Sequence, residues 1–265
     1  MSTLHKFPSL FVSHGAPNLI LHNSSARDFL GSYGGEMGKP KAILIATAHF
    51  ESQHPFLTAD TKPEMIYDFG GFEPELYKMQ YPAPGSPDLA LEATALLAKA
   101  GMKAQAIAGR GYDHGTWVPL KLLYPDADIP VVQLSVQPQA GAAHHVAMGQ
   151  VLAPLREQGV LVMGSGGVTH NLGEFFKGGY KADSAVPSWV SEFGDWAHDA
   201  IEAGYIDDIA HYRTRGPNAA KNHPSEEHFL PLPFAFGAGG VGAKGRRVHS
   251  SHQYGVLMMD AYVFE

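Results

Sequence analysis

Fifteen histidines and no cysteine set the chemistry open to this chain. Without thiolates there can be no disulfide frame, iron–sulfur cluster or cysteine nucleophile, so a transition-metal site must be built from imidazole and carboxylate. Four histidines stand where an enzyme would want them. His14 follows the apolar run of FVSHGAP, His49 closes ILIATAHF, and His170 follows VLVMGSGGVT at a strand end and a glycine-rich turn. In open α/β sheets ligands bind beyond the carboxyl ends of the strands, so histidines at three such ends converge although they are far apart in sequence. The fourth, His228, sits in HPSEEHFLPL, where Ser225 can cap a helix and Glu226 and Glu227 fall in its first turn, from which His228 would point into the same crevice.

A fifth, His114, stands in GYDHGTW beside Asp113, and the nearby glycines allow close backbone approach to a ligand. Such a histidine can act as acid, base or hydrogen-bond donor near neutral pH, although a solvated loop position would also account for it. Any one histidine alone reads as a hydrogen-bonded core or surface residue; repetition at strand ends favours a shared site. His144 and His145 are helical neighbours and cannot share a face, and with His5, His22, His54, His198, His211 and His223 they read as surface or packing residues. His249 and His252 flank a serine pair before the last strand and stand as candidates for lining the pocket. There is no HExxH, no G-x-S-x-G elbow and no Walker loop, and GSGG at 164–167 is not a dinucleotide fingerprint.

The elements that must position these residues are legible as alternating patterns. Short β-rich apolar runs at 10–13, 42–48, 129–136, 160–163 and 254–264 read as buried strands. Helical periodicity appears at 88–100 after Ser86-Pro87, at 142–158 with Gly159 as the stop, and at 188–203 with Gly204 after it. Trp189, Phe193 and Trp196 on the last of these read as core. Stretches 82–87, 164–167 and 237–245 read as loops from their Gly and Pro content. Strands alternating with helices predict an α/β fold: one domain, residues 1–265, with a central mostly parallel or mixed sheet flanked by helices on both faces.

A net charge of -7 argues against a nucleic-acid or anionic-lipid footprint and leaves small molecules as the expected partners. The N-terminus carries no convincing signal peptide and no apolar stretch approaches a membrane span, so the cytoplasm is the expected compartment.

Eight ordered motifs give these residues a family setting: SHGAP at 13–17, TAHF at 47–50, IYDFGGF at 66–72, YPAPGSP at 81–87, GYDHGTW at 111–117, YPDADIPVVQLS at 124–135, SGGVTHNL at 165–172 and EHFLPL at 227–232. Together they resemble the class III extradiol ring-cleavage dioxygenases, in the branch called 4,5-DOPA dioxygenase extradiol, over nearly the whole chain. The resemblance implies one mononuclear metal in a pocket. By position it makes His14, His49 and His228 metal ligands, His170 a further ligand or the acid–base residue, and His114 a second active-site histidine touching substrate or oxygen. Better-known members of the wider superfamily complete the site with a glutamate, which makes Glu227 the fallback to His228.

An all-imidazole site should hold Zn2+ as readily as Fe2+, with only the iron form active toward oxygen. The expected reaction is ring opening of a DOPA-like catechol with O2 to a semialdehyde, with His170 or His114 removing a hydroxyl proton. The rivals are a zinc hydrolase on the same histidines and a non-enzymatic binding or adaptor protein of the same fold.

Overall fold

A computed structural model describes residues 6–265, so His5 lies outside the described residues. The strands are β1 (Ser9–Ser13), β2 (Ala42–Glu51), β3 (Phe56–Thr58), β4 (Gln105–Ile107), β5 (Val131–Val136), β6 (Val160–Gly166), β7 (Gly245–His249), β8 (His252–Gln253), β9 (Leu257–Met258) and β10 (Ala261–Phe264). All but β8 and β9, which pair with each other, join one eight-stranded sheet in the order β4-β3-β5-β2-β6-β1-β10-β7. The centre, β5-β2-β6-β1, is parallel. At one edge β10 runs antiparallel to β1 and β7. At the other, β3 opposes β5 and parallels β4. The sheet is therefore mixed.

The helices are α1 (Ser25–Met37), α2 (Pro87–Lys99), α3 (His114–Leu123), α4 (Gly141–Leu152), α5 (Leu172–Gly178), α6 (Ser188–Ala203), α7 (Ile206–Ala210), α8 (Tyr212–Arg215), α9 (Ala219–Asn222) and α10 (Pro231–Ala238). They cover both faces of the sheet, which is why the central strands are apolar without alternation. Side chains of a strand point alternately to opposite faces. Leu10, Val12, Ile43, Ile45, Leu161 and Met163 pack with Leu30 of α1 and Trp117 of α3. Leu44 and Val162 turn the other way, against Leu97 of α2, Leu152 of α4 and Phe234 of α10.

The structure departs from the sequence reading at several elements. The long strand expected over 254–264 is two short ones, β9 and β10. The helix expected over 142–158 ends at Leu152 and continues as a 3-10 turn over Ala153–Gln158, where Pro154 denies the α-helix a donor. Residues 164–166 are the end of strand β6 and not a loop, and residues 225–228 form a turn ahead of α10 in place of a capped helix. Both departures share a cause. A Cβ on Gly164 would lie 2.0 Å from the Pro231 carbonyl oxygen, and one on Gly166 would lie 2.2 Å from that of His228. The glycines are strand residues that let the 228–231 backbone rest directly on β6, and the Gly167 amide ties that turn down through the His228 carbonyl (2.8 Å). Of the helix aromatics, Phe193 is fully buried, whereas Trp189 and Trp196 are only partly so.

Candidate metal centre

The central parallel strands deliver their histidines to one end of the sheet. His14 is the first residue after β1, and its amide donates to the Gly166 carbonyl of the neighbouring β6 (3.0 Å). His49 lies inside β2, which runs on to Glu51 beyond the apolar run. Around it β2 loses its regular pairing with β5. Arg110 holds the His49 carbonyl (2.9 Å) while its guanidinium also contacts Asp113 (3.1 Å). Asp113 accepts from Thr47 (2.8 Å) and from the Thr116 amide (3.1 Å), capping the helix whose first residue is His114. One buried carboxylate thus registers β2 against α3. His170 is anchored through its amide to the Asn222 carbonyl at the end of α9 (3.1 Å).

All five histidines converge. The ring centres of His14, His49 and His228 form a nearly equilateral triangle with sides of 5.0, 5.5 and 4.9 Å. His114 lies 3.9 Å from His49, and His170 stacks on His228 at 3.5 Å with only 8° between the planes. Candidate ligand atoms fall into two groups, His14 with His49 and His114, and His170 with Glu227 and His228, each within 4.8 Å.

Distances between rings discriminate among these sets. A ring nitrogen about 2.0–2.1 Å from zinc puts the ring centre about 3.2 Å from the ion, and two tetrahedral ligands then have centres about 5.2 Å apart. The triangle of His14, His49 and His228 matches that spacing, whereas the His49–His114 and His170–His228 pairs are too close to radiate from one ion. For that reason the triangle describes the site better than atom proximity alone.

The protons point the same way. Ser165 donates its single hydroxyl proton to the Gly115 carbonyl, so at 3.0 Å it can only accept from His14 Nδ1. His14 Nε2 therefore carries the lone pair. His228 Nδ1 faces Glu227 Oε1 at 2.9 Å, and His49 Nδ1 faces Asp68 Oδ2 at 3.5 Å; a carboxylate accepts, which again leaves the lone pair on Nε2. The Nε2 atoms of His14 and His49 stand 3.0 Å apart. Two lone pairs at that range repel unless a cation lies against both, so the donor set fits a metal, with the outer partners that metal-binding imidazoles usually have.

Electrostatics keep these rings metal-ready. Burial, and then neighbouring imidazoles, holds His14 and His228 well below the usual histidine value. Burial with His114 pulls His49 to about 3, and burial pulls His170 to about 4 against the opposing charge of Glu227. All are neutral at pH 7, the form a metal takes. Burial would raise Asp68, but the hydrogen-bonding and charge of His114 outweigh it and hold the carboxylate at about 2. Asp68 accepts from the His114 amide and sits 3.0 Å from His114 Nδ1. Asp68 and Ser165 are site residues that the sequence reading did not single out; an acid embedded in the aromatic and glycine run YDFGGF was the available signal for Asp68.

The five rings form the floor of a cavity of about 520 Å3 whose walls include Phe69, Phe72, Phe175, Phe176, Leu257 and Met258. That size and apolar lining suit a small aromatic molecule. A second cavity, lined by Glu51 and Glu227, shares His49, His170 and His228 with the first. His249 and His252 line neither; His249 instead bonds Ser251 (2.7 Å) and stacks on Phe29. Glu227 accepts from Ser225 and pairs with His228, so its contacts are those of a supporting carboxylate.

An α/β sheet carrying a buried imidazole cluster at its strand ends, beneath an aromatic-walled cavity, has the form of a metal-dependent enzyme acting on a small aromatic substrate. Residues 30–265 match the family described as the catalytic LigB subunit of aromatic ring-opening dioxygenase, and the chain belongs to that family. It is 41% identical over 260 residues to the 4,5-DOPA dioxygenase extradiol of Beta vulgaris, covering 97% of this chain and 96% of that one. It is 36% identical to the protein of that name in Escherichia coli K12, covering 88% and 85%. A crystal structure of an uncharacterised Escherichia coli K12 protein superposes with a TM-score of 0.79 at 31% identity, covering 97% and 99%. Dioxygenases of this family use a metal. Among the described residues no helix is long and apolar enough to cross a membrane.

Proposed function

We propose that this chain, as one catalytic domain over residues 1–265, opens the ring of a catechol next to its diol with O2, giving a semialdehyde. The observation that carries the reading is the triangle of imidazoles whose Nε2 lone pairs are directed inward by Ser165, Asp68 and Glu227. His14, His49 and His228 would hold the ion, which would leave His114 and His170 free for substrate. When bound, the ion supplies a Lewis acid that acidifies the catechol hydroxyl and, as iron, the redox capacity for oxygen chemistry that zinc lacks.

The remaining work belongs to side chains. His170 is neutral at pH 7, and its ring, stacked on His228 and near the charge of Glu227, can take the hydroxyl proton, while the burial that pulls it to about 4 favours passing that proton on. His114, backed by Asp68, is the second donor and acceptor at the cavity floor. Phe69 and Phe72, packed edge to face at 5.6 Å, give the cavity an apolar wall against which an aromatic ring can lie. Both oxygen atoms end in the product, so no external reductant is needed. The relatives' names make DOPA the first substrate to try, and the cytoplasm is the compartment we infer.

The test is anaerobic loading with Fe2+, then a catechol panel in an oxygen electrode. Expected is one O2 consumed per ring opened, with a coloured product; an iron-loaded protein that consumes no oxygen with any catechol would return the site to the zinc-hydrolase reading. His170→Ala should lower kcat about 100- to 10,000-fold with metal content unchanged. Full turnover would remove His170 from the proton transfer.

A further inference from the structure

Helix α3 contains a proline at its sixth position, Pro119. In a regular α-helix the residue at i+4 donates its amide to the carbonyl at i, and for Gly115 that residue is Pro119, which has no N–H. The Gly115 carbonyl is therefore left without its helical donor at the buried end of the helix, beside the metal centre. The hydroxyl of Ser165, at the end of β6, fills that vacancy. Because its one proton is used there, Ser165 presents only lone pairs to His14 Nδ1, 3.0 Å away.

We infer that Pro119 and Ser165 are positioning residues for the metal centre: the proline reserves the Gly115 carbonyl, the carbonyl orients the serine hydroxyl, and the hydroxyl sets the tautomer of His14 so that Nε2 is free. Had the helix satisfied Gly115 itself, the Ser165 proton could turn to His14 Nδ1. That would place the ring proton on Nε2, the nitrogen 3.0 Å from His49. The inference rests on His14 being a ligand only for its functional consequence; the tautomer follows from the hydrogen bonds alone. His14, Ser165 and Pro119 are all buried, so water does not compete for these bonds.

Two variants test it, each with a readout independent of turnover. In metal-free protein labelled with 15N-histidine, the ring of His14 should show its proton on Nδ1; a proton on Nε2 overturns the inference outright. Ser165→Ala removes the acceptor, so the Nδ1–H signature should be lost or mixed and zinc affinity, measured by chelator competition, should fall about 10- to 100-fold. Pro119→Ala restores an amide that competes for Gly115 and should weaken zinc binding severalfold while the melting temperature holds or rises, because alanine suits a helix interior better than proline. A merely structural proline would instead move stability and leave affinity alone. Unchanged tautomer and affinity in both variants would refute the relay. If His14→Ala itself left zinc binding intact, the ligand assignment would fall, and the tautomer measurement would still decide the hydrogen-bond relay.

Discussion

His14 and His145 are both fully buried imidazoles that burial holds well below the usual histidine pKa, yet their surroundings differ in one respect. His145, on α4, spends both nitrogens within the protein: Nδ1 meets the Gly141 carbonyl at 2.7 Å and Nε2 accepts from the Gln137 amide at 3.0 Å. His14 spends one nitrogen on Ser165 and aims the other at a second imidazole. Burial and a displaced pKa therefore do not mark a functional histidine here. What marks it is a lone pair left over, pointed at other lone pairs.

The largest expected effect comes from removing such a lone pair. His49→Ala should abolish stoichiometric metal, read by elemental analysis, and lower kcat/KM at least about a thousandfold, whereas His145→Ala should leave metal content intact. Should both variants lose the metal equally, the distinction collapses. A smaller effect is expected one layer out, where Glu227→Gln keeps the shape but weakens the acceptor of His228, so that chelator competition should show about a 10- to 100-fold loss of affinity.

His145→Ala should in turn cost about 2–4 kcal/mol in denaturant unfolding, because the Gln137 amide and Gly141 carbonyl lose their partner in the core. An unchanged unfolding midpoint would show that water replaces the ring.

The gentlest prediction concerns pH and applies to both settings. Each of these rings is harder to protonate folded than unfolded, so below about pH 6.5 the unfolded chain binds more protons and stability falls as pH falls. For His145 and His49 the loss continues until about pH 3, where the folded rings protonate as well. Each contributes up to about 1.4 kcal/mol per pH unit across that window. Metal-free protein should show this slope, and bound zinc should raise stability across the window without flattening it, because the ligand rings carry no proton in either folded form. A metal-free protein equally stable at pH 7 and pH 5 would contradict the burial of these rings.

The central strands were visible because both of their faces are covered, which writes them as unbroken apolar runs. His14, His49 and His170 could be placed at strand ends for that reason alone. Helices α1 and α3 carry no clear helical signal in the sequence, since glycine and proline argue against helix locally. In α1, Gly34 is there because a Cβ would lie 1.9 Å from the Leu123 carbonyl oxygen of α3, a packing requirement with no local signature. The turn holding His228 looks like a helix start in sequence because Ser225, Glu226 and Glu227 imitate a cap, while the contact of that turn with β6 through Gly164 and Gly166 is long-range.

By itself the sequence determined the ligand chemistry, the family and the layered architecture, because residue type, order and apolar periodicity are properties of the chain alone. Tertiary structure brought five imidazoles together, set the spacing between their rings, and put an acceptor beside Nδ1 of His14, His49 and His228. Those depend on ångström-scale contacts between segments some 150 residues apart, such as His14 with Ser165, and on acceptors such as Asp68 and Glu227 whose roles exist only once the chain has closed around them.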